Sequence, residues 1–244
     1  MILGEIMEVL AFKNQSLIDH VNDMVKYWER IKYRYLKTIK RALEALNIKL
    51  DIEKVDEFMK ILIKLHDIGK ASKIYQRAII NDQEKLMGFR HELVSAYYTY
   101  HILLKKFGDK NLAFIGALTV MLHHEPIIMG QIRNLKKKEL TAEVVLDKLK
   151  KFDGMIEDFE DLIKKLIGYS IGDIIKNDSN KDDIIRFVIE MSVRARHTPN
   201  SEKLRFIVGT LLLPLVMCDY KGAESREGKA PKFAEVLEVE SYVI

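Results

Sequence analysis

One cysteine in 244 residues, Cys218, gives this chain no partner for an internal disulfide and no set of thiols for a zinc finger. It suits a reducing compartment, where a lone cysteine ordinarily serves as a small buried apolar side chain. No apolar run reaches ~18 residues, so the sequence predicts no membrane span. The N-terminal MILGEIMEVLAFKNQ has no basic start, no long apolar run and no small-residue cleavage site, so no signal peptide is expected. Together these absences predict a cytoplasmic protein. An excess of one charge is also missing: 40 Lys and Arg face 36 Asp and Glu, a net charge of +4. That balance does not establish nucleic-acid binding, and a pI near 8.9 permits it. Glutamine is scarce, while Lys, Glu and Ile are plentiful, which leans toward a heat-adapted composition. There is no G-x-x-x-x-G-K-[ST] phosphate loop. The nearest string runs from Gly222 to Gly228-Lys229-Ala230, with five intervening residues and Ala in place of Ser/Thr. No ATPase activity is expected.

What is present is helical periodicity. Hydrophobic residues make up 48% and charged residues 31%, a globular balance. Ser16 is placed to cap a long helix whose apolar residues Ile18, Val21, Val25, Trp28, Tyr35, Ile39, Ala42 and Leu46 recur at three- and four-residue steps, with Lys32 as an interruption. Further helices are predicted over 54–65, 92–107, 111–123, 141–151, 157–167, 181–196 and 202–220. Gly69 permits a turn after the second, and Pro126 bounds the helix ending near His123. Strand patterning is confined to a short N-terminal run and to 234–243. The predicted fold is all-α: one domain of about eight to ten helices over 1–225, with a C-terminal tail over 226–244.

Five of the seven histidines lie in clusters with carboxylates: His66-Asp67, Arg90-His91-Glu92 and the doublet His123-His124, joined by His20 and Asp219. Imidazole and carboxylate together suit transition metals such as manganese, iron, cobalt, nickel or zinc. Neighbours on a regular helix point ~100° apart, so an adjacent pair reaches one site only where the helix ends. His66-Asp67 precedes Gly69, and His123-His124 precedes Pro126. Taken singly, each residue has a plainer reading. A buried His20 or His91 is ordinarily a hydrogen-bonded core residue, and Asp219, on a very apolar helix, an arginine's partner. The joint occurrence on separate helices points to metal. His101 and His197 are read as structural.

In order and spacing these motifs resemble the HD phosphohydrolase superfamily. Within it they are most similar to the HD nuclease of type I CRISPR interference, in the version where nuclease and helicase are separate polypeptides. The string His66-Asp67-Ile68-Gly69-Lys70-Ala71-Ser72 with Tyr75-Gln76 carries the resemblance. So do Phe89-Arg90-His91-Glu92, His123-His124-Glu125, Asp219-Tyr220 and the first motif at 17–20. It runs from about residue 10 to 225 and implies an HD-type helical domain with its metal site among the central helices. It implies two divalent ions (Mn, Ni, Co, Fe or Zn, with Mg also admitted). His20, His66, Asp67 and Asp219 would hold one, and Asp67, His91, His123 and His124 the other. Two dications and two carboxylates leave a cationic site suited to a phosphodiester. Asp67 and Lys70 are the expected catalytic residues, Lys70 through a substrate phosphate or its developing charge; its plainer role is that of a solvated lysine.

The resemblance implies a metal-dependent nuclease acting on single-stranded DNA, with RNA in R-loops as a further substrate. Its partners would be a separate CRISPR helicase and a guide-RNA surveillance complex, and no membrane. Candidate nucleic-acid contacts are Arg90, Arg133, Lys136 and Lys137, with Lys138 beside them. Arg30, Lys32, Tyr33, Arg34, Tyr35, Lys37 and Lys40 on the long helix are further candidates. The competing readings are an HD nucleotide phosphohydrolase or cyclic-nucleotide phosphodiesterase, and a helical scaffold with incidental histidines.

Overall fold

Ser16 starts the longest helices' bundle by stopping a strand. The hairpin β1 (Leu10–Phe12) and β2 (Gln15–Ser16) runs antiparallel and leads directly into α1 (Leu17–Glu44). Ser16 keeps an extended backbone, and its hydroxyl accepts the Asp19 N–H at 3.0 Å, satisfying one of the helix's orphan donors. The structure is a computed structural model describing residues 8–81, 88–124, 142–170 and 181–227. Arg133, Lys136, Lys137, Lys138, Pro126, the segment 234–243 and the string Gly228-Lys229-Ala230 lie outside the described residues.

Nine α-helices and one 3-10 turn make up the rest of the described residues. After α1 come α2 (Ile52–Leu65), the 3-10 turn Ile68–Ala71 and α3 (Lys73–Ile80). Then follow α4 (His91–Phe107), α5 (Lys110–Leu122), α6 (Ala142–Leu149), α7 (Phe159–Ile167), α8 (Lys181–His197) and α9 (Ser201–Glu227). The all-α reading holds. α1 packs mainly on α9 and α2, and α4 mainly on α5.

The buried face of α1 differs from the expected stripe. Leu17, His20, Met24, Ile31 and Leu36 join Val21, Trp28, Ile39 and Ala42 inside, whereas Ile18, Val25 and Tyr35 are only partly buried. Two helices cover α1 from different sides, so its buried arc is wider than one stripe and turned toward α9. That turn carries His20 inward.

Three features escaped the sequence pattern. α3 is only eight residues long and buries Gln76 beside Tyr75 and Ala78, so its inner face does not read as apolar. Gln76 exchanges hydrogen bonds with both backbone groups of Leu10 (3.0 and 2.9 Å) and donates to the Lys70 carbonyl at 2.8 Å, tying the hairpin to the 3-10 turn. α9 passes through Pro214 without ending and runs beyond the expected boundary at 225. Its stretch Ser201–Glu224 is long and apolar enough to cross a membrane by length and composition, with a mean hydropathy of 1.4, although no unbroken apolar run within it reaches ~18 residues. It packs against α1, α2 and α5, with 44% of its most apolar window buried.

Candidate metal centre

Two helix ends build the centre in the same way. His66 is the C-cap of α2 and His123 the C-cap of α5. His66 Nδ1 bonds the Ile63 carbonyl at 2.8 Å, and His123 Nδ1 bonds the Val120 carbonyl at 2.6 Å. A ring nitrogen facing a carbonyl must donate, so each imidazole satisfies an orphan carbonyl of its own last turn. The bond fixes the ring and leaves Nε2 pointing inward, the arrangement that orients metal-binding histidines.

Asp67 lies two residues past the end of α2, fully buried, and its two oxygens face opposite ways. Oδ1 is 2.9 Å from His91 Nε2, 3.4 Å from His123 Nε2 and 3.9 Å from His124 Nε2. Oδ2 is 2.5 Å from Lys70 Nζ, 3.3 Å from His66 Nε2 and 3.7 Å from His20 Nε2. Asp219, on α9, brings Oδ1 to 3.2 Å from His20 Nε2 and 3.6 Å from His66 Nε2. Two groups of donors result: His20, His66, Asp67 and Asp219, and Asp67, His91, His123 and His124. Within each group one donor atom per residue lies within 4.8 Å of all the others, and Asp67 belongs to both. All seven sequence-nominated metal residues therefore meet in one place.

The donor chemistry fits divalent cations. His20 Nδ1 and Nε2, His66 Nε2 and His123 Nε2 are buried without a hydrogen-bond partner among the described residues. An unsatisfied buried polar atom costs ~1–3 kcal/mol, and several converging on one point mark a place for a positive ligand. Imidazoles with two carboxylates suit borderline transition metals, and carboxylates also admit Mg.

The charges are strongly coupled. Burial opposes ionisation of Asp67, but the His66 and Lys70 charges hold it well below the ordinary carboxylate range. Asp219 is likewise held low against its burial by His20 and His66. Burial opposes a charge on His66 too, yet Asp67 and Asp219 push it up to about 10. His124 is pulled down to about 3 by burial and by neighbouring His123. Burial also lowers His20.

Lys70 is not a solvated lysine. It is 5% exposed, and Asp67 raises its pKa against the cost of burial. Arg90 grips Glu92 through two hydrogen bonds, Nη2 to Oε1 at 2.7 Å and Nε to Oε2 at 3.2 Å. Glu92 is buried with Oε2 3.6 Å from His91 Nδ1, and burial is overcome by His91 and Arg90, which bring its pKa down to about 2. On α1, Lys32 is 14% exposed at its side chain and pairs with Glu29 (2.6 Å) and Asp56 (3.2 Å), which takes it out of any open basic track; Lys40 pairs with Glu44, while Tyr33 is exposed. His101 packs on Tyr97 and Phe187, and His197 ends α8.

Gly69 joins the motifs. Its N–H donates to Ser95 Oγ at 2.8 Å, and a Cβ there would overlap the His91 carbonyl. The 3-10 turn thus rests on the first turn of α4, setting Asp67 against His91. Of the seven metal residues, His124 is the exposed one, at 35% of its side chain, so the centre opens to solvent on that side.

Comparison with known proteins follows this geometry. The family model described as "Cas3, HD domain" matches residues 11–183. A CRISPR-associated endonuclease Cas3-HD from Pyrococcus furiosus is 54% identical over 235 residues, 96% of this chain and 99% of the relative. A protein of the same name from Saccharolobus solfataricus is 35% identical over 96 residues, 37% of this chain and 40% of its own. Among solved structures, the CRISPR-associated Cas3 HD domain protein from Methanocaldococcus jannaschii superposes with a TM-score of 0.76 at 92% identity, covering 86% of this chain and all of that one.

Proposed function

This chain belongs to the Cas3 HD domain family, and on that premise we propose that it is a metal-dependent nuclease of CRISPR defence. Its substrate is single-stranded DNA, with RNA in R-loops as a further one. It hydrolyses phosphodiester bonds and depends on a separate helicase and a guide-RNA surveillance complex to expose the strand. Its working compartment on this reading is the cytoplasm. The single observation that carries the metal-dependent reading is Asp67, whose two oxygens face two separate sets of histidines.

His20, His66, Asp67 and Asp219 would hold one divalent ion, and Asp67, His91, His123 and His124 the second. Divalent ions at such a pair supply Lewis-acid polarisation of the phosphodiester and make water nucleophilic at neutral pH. The chain's own residues do the rest. His66 and His123 hold their rings by their own helix carbonyls, so these two donors are already aimed at the cation positions. Lys70 keeps a fixed positive charge beside Asp67, where it stabilises charge growing on a phosphate oxygen. A strand would approach on the open side at His124, and Arg90, which caps α4 beside His91 while held by Glu92, is a candidate for a backbone phosphate together with Arg133, Lys136 and Lys137.

Incubating the pure protein with a panel of divalent metals, single- and double-stranded DNA, RNA and free nucleotides tests this reading. The expected result is chelator-sensitive cleavage of single strands with nucleotides left intact. Nucleotide turnover with intact DNA would replace it with the phosphohydrolase reading. Hydrolysis of ATP by the chain alone would contradict the absence of a phosphate loop.

A further inference from the structure

His20 is held differently from the other histidines of the centre. His66 and His123 each bond a carbonyl through Nδ1, and His91 Nδ1 faces Glu92 at 3.6 Å. His20 is fully buried, and neither ring nitrogen has a hydrogen-bond partner among the described residues. Its Nε2 faces Asp219 Oδ1 at 3.2 Å, but nothing among the described residues anchors its Nδ1, so packing must hold that edge of the ring.

The packing surface is Gly222, three residues past Asp219 on α9. A Cβ at this position would lie 2.8 Å from His20 Nδ1, 2.9 Å from His20 Cε1 and 2.7 Å from Met24 Cγ. Those separations are below what real Cβ atoms tolerate, so any side chain would drive the ring from its place. Gly222 is itself anchored: its carbonyl accepts from Gln15 Nε2 at 2.8 Å, in a buried bond spanning hairpin and helix. The same helix turn therefore brings Asp219 Oδ1 to 3.2 Å from His20 Nε2 and a bare backbone to the opposite edge of the ring.

We propose that Gly222 is a positioning residue for one of the two metal positions, its missing side chain forming the slot that seats His20 against Asp219. The inference rests on the metal-centre reading above. It assigns the slot to the group containing His20, His66, Asp67 and Asp219 and leaves the His91, His123 and His124 group independent of it. Gly222 touches neither metal nor substrate and reaches the metal position through His20; its other close neighbour is Met24.

The test is a double-mutant cycle with Gly222→Ala, His20→Ala and the double variant, read by metal content per chain, Mn or Ni titration and thermal melting of the metal-free protein. Gly222→Ala should keep one ion per chain and lose the other, with affinity at that position down about 10–100-fold. In the His20→Ala background the ring is gone, so adding Gly222→Ala should leave metal content unchanged and lower the melting temperature less than it does with His20 present, through the remaining Met24 contact alone. If Gly222→Ala does not fold, a double variant that folds as His20→Ala does supports the slot. An alanine that leaves both ions bound with unchanged affinity overturns the proposal. So does loss of both ions together, or the same fall in melting temperature with and without His20. A wild-type protein that takes up no ion would refute the metal reading instead, and the melting cycle would still report on the slot.

Discussion

Lys70 Nζ lies 2.5 Å from Asp67 Oδ2, both groups nearly inaccessible to solvent. The ammonium holds the carboxylate that belongs to both donor groups. Lys70 and bound cations therefore share one task, offsetting the Asp67 charge.

It follows that Lys70→Ala harms the metal-free protein more than the loaded one. Removing one partner of a buried ion pair costs about 3 kcal/mol when the other is left uncompensated. Melting curves with and without Mn should show a deficit for Lys70→Ala that metal largely restores, while cleavage stays at least ~100-fold down. An equal deficit in both states would separate Lys70 from the centre's charge balance.

The pH behaviour of the metal-free protein has two limbs. His66 rises to about 10 in the fold from an ordinary 6.5, so its stabilising charge is fully present below 6.5 and is lost as pH climbs through 10. His124 falls to about 3 from 6.5, so its neutral ring favours the fold above 6.5 and that benefit is lost as pH drops toward 3. Melting temperature should peak near pH 6.5 and fall on both sides. A metal ligand must give up its proton, so uptake at neutral pH releases one from His66, and affinity rises with pH. Calorimetry in buffers of different ionisation enthalpy measures that proton; its absence would place His66 outside the metal's reach.

Gly69→Ala should fail at the joint between two motifs. Its Cβ overlaps the His91 carbonyl, a backbone atom that cannot rotate away. The expected cost is about 3 kcal/mol, with metal binding weakened because Asp67 and His91 move apart. Melting temperature and metal titration check both parts, and an alanine variant with wild-type values in each would show that the turn and α4 need not touch.

Much of this centre was legible in the sequence because its histidines sit at helix ends. His66-Asp67 before Gly69 and His123-His124 before Pro126 are local signals; the helix the first closes is periodic, and the one the second closes is a continuous apolar run. Asp219 was visible as a carboxylate on an apolar helix. Other parts depend on contacts between distant segments. Nothing near Gly222 announces that it faces His20, some 200 residues away, and Gln76 in the short α3 hides its role in tying down Leu10. The buried arc of α1 misled for the same reason: two neighbours cover it, and periodicity alone assumes one. The tail past residue 227 and the basic run at Arg133 lie beyond the described residues, and residues 226 and 227 continue α9.

Metal content per chain, measured by mass spectrometry on protein loaded with Mn or Ni and then desalted, tests the central claim most directly. The account predicts about two ions for the wild type, one each for His20→Ala and His91→Ala, and none for Asp67→Asn, whose carboxylate serves both groups. Folded Asp67→Asn protein that keeps both ions, or wild type that keeps none, would contradict it.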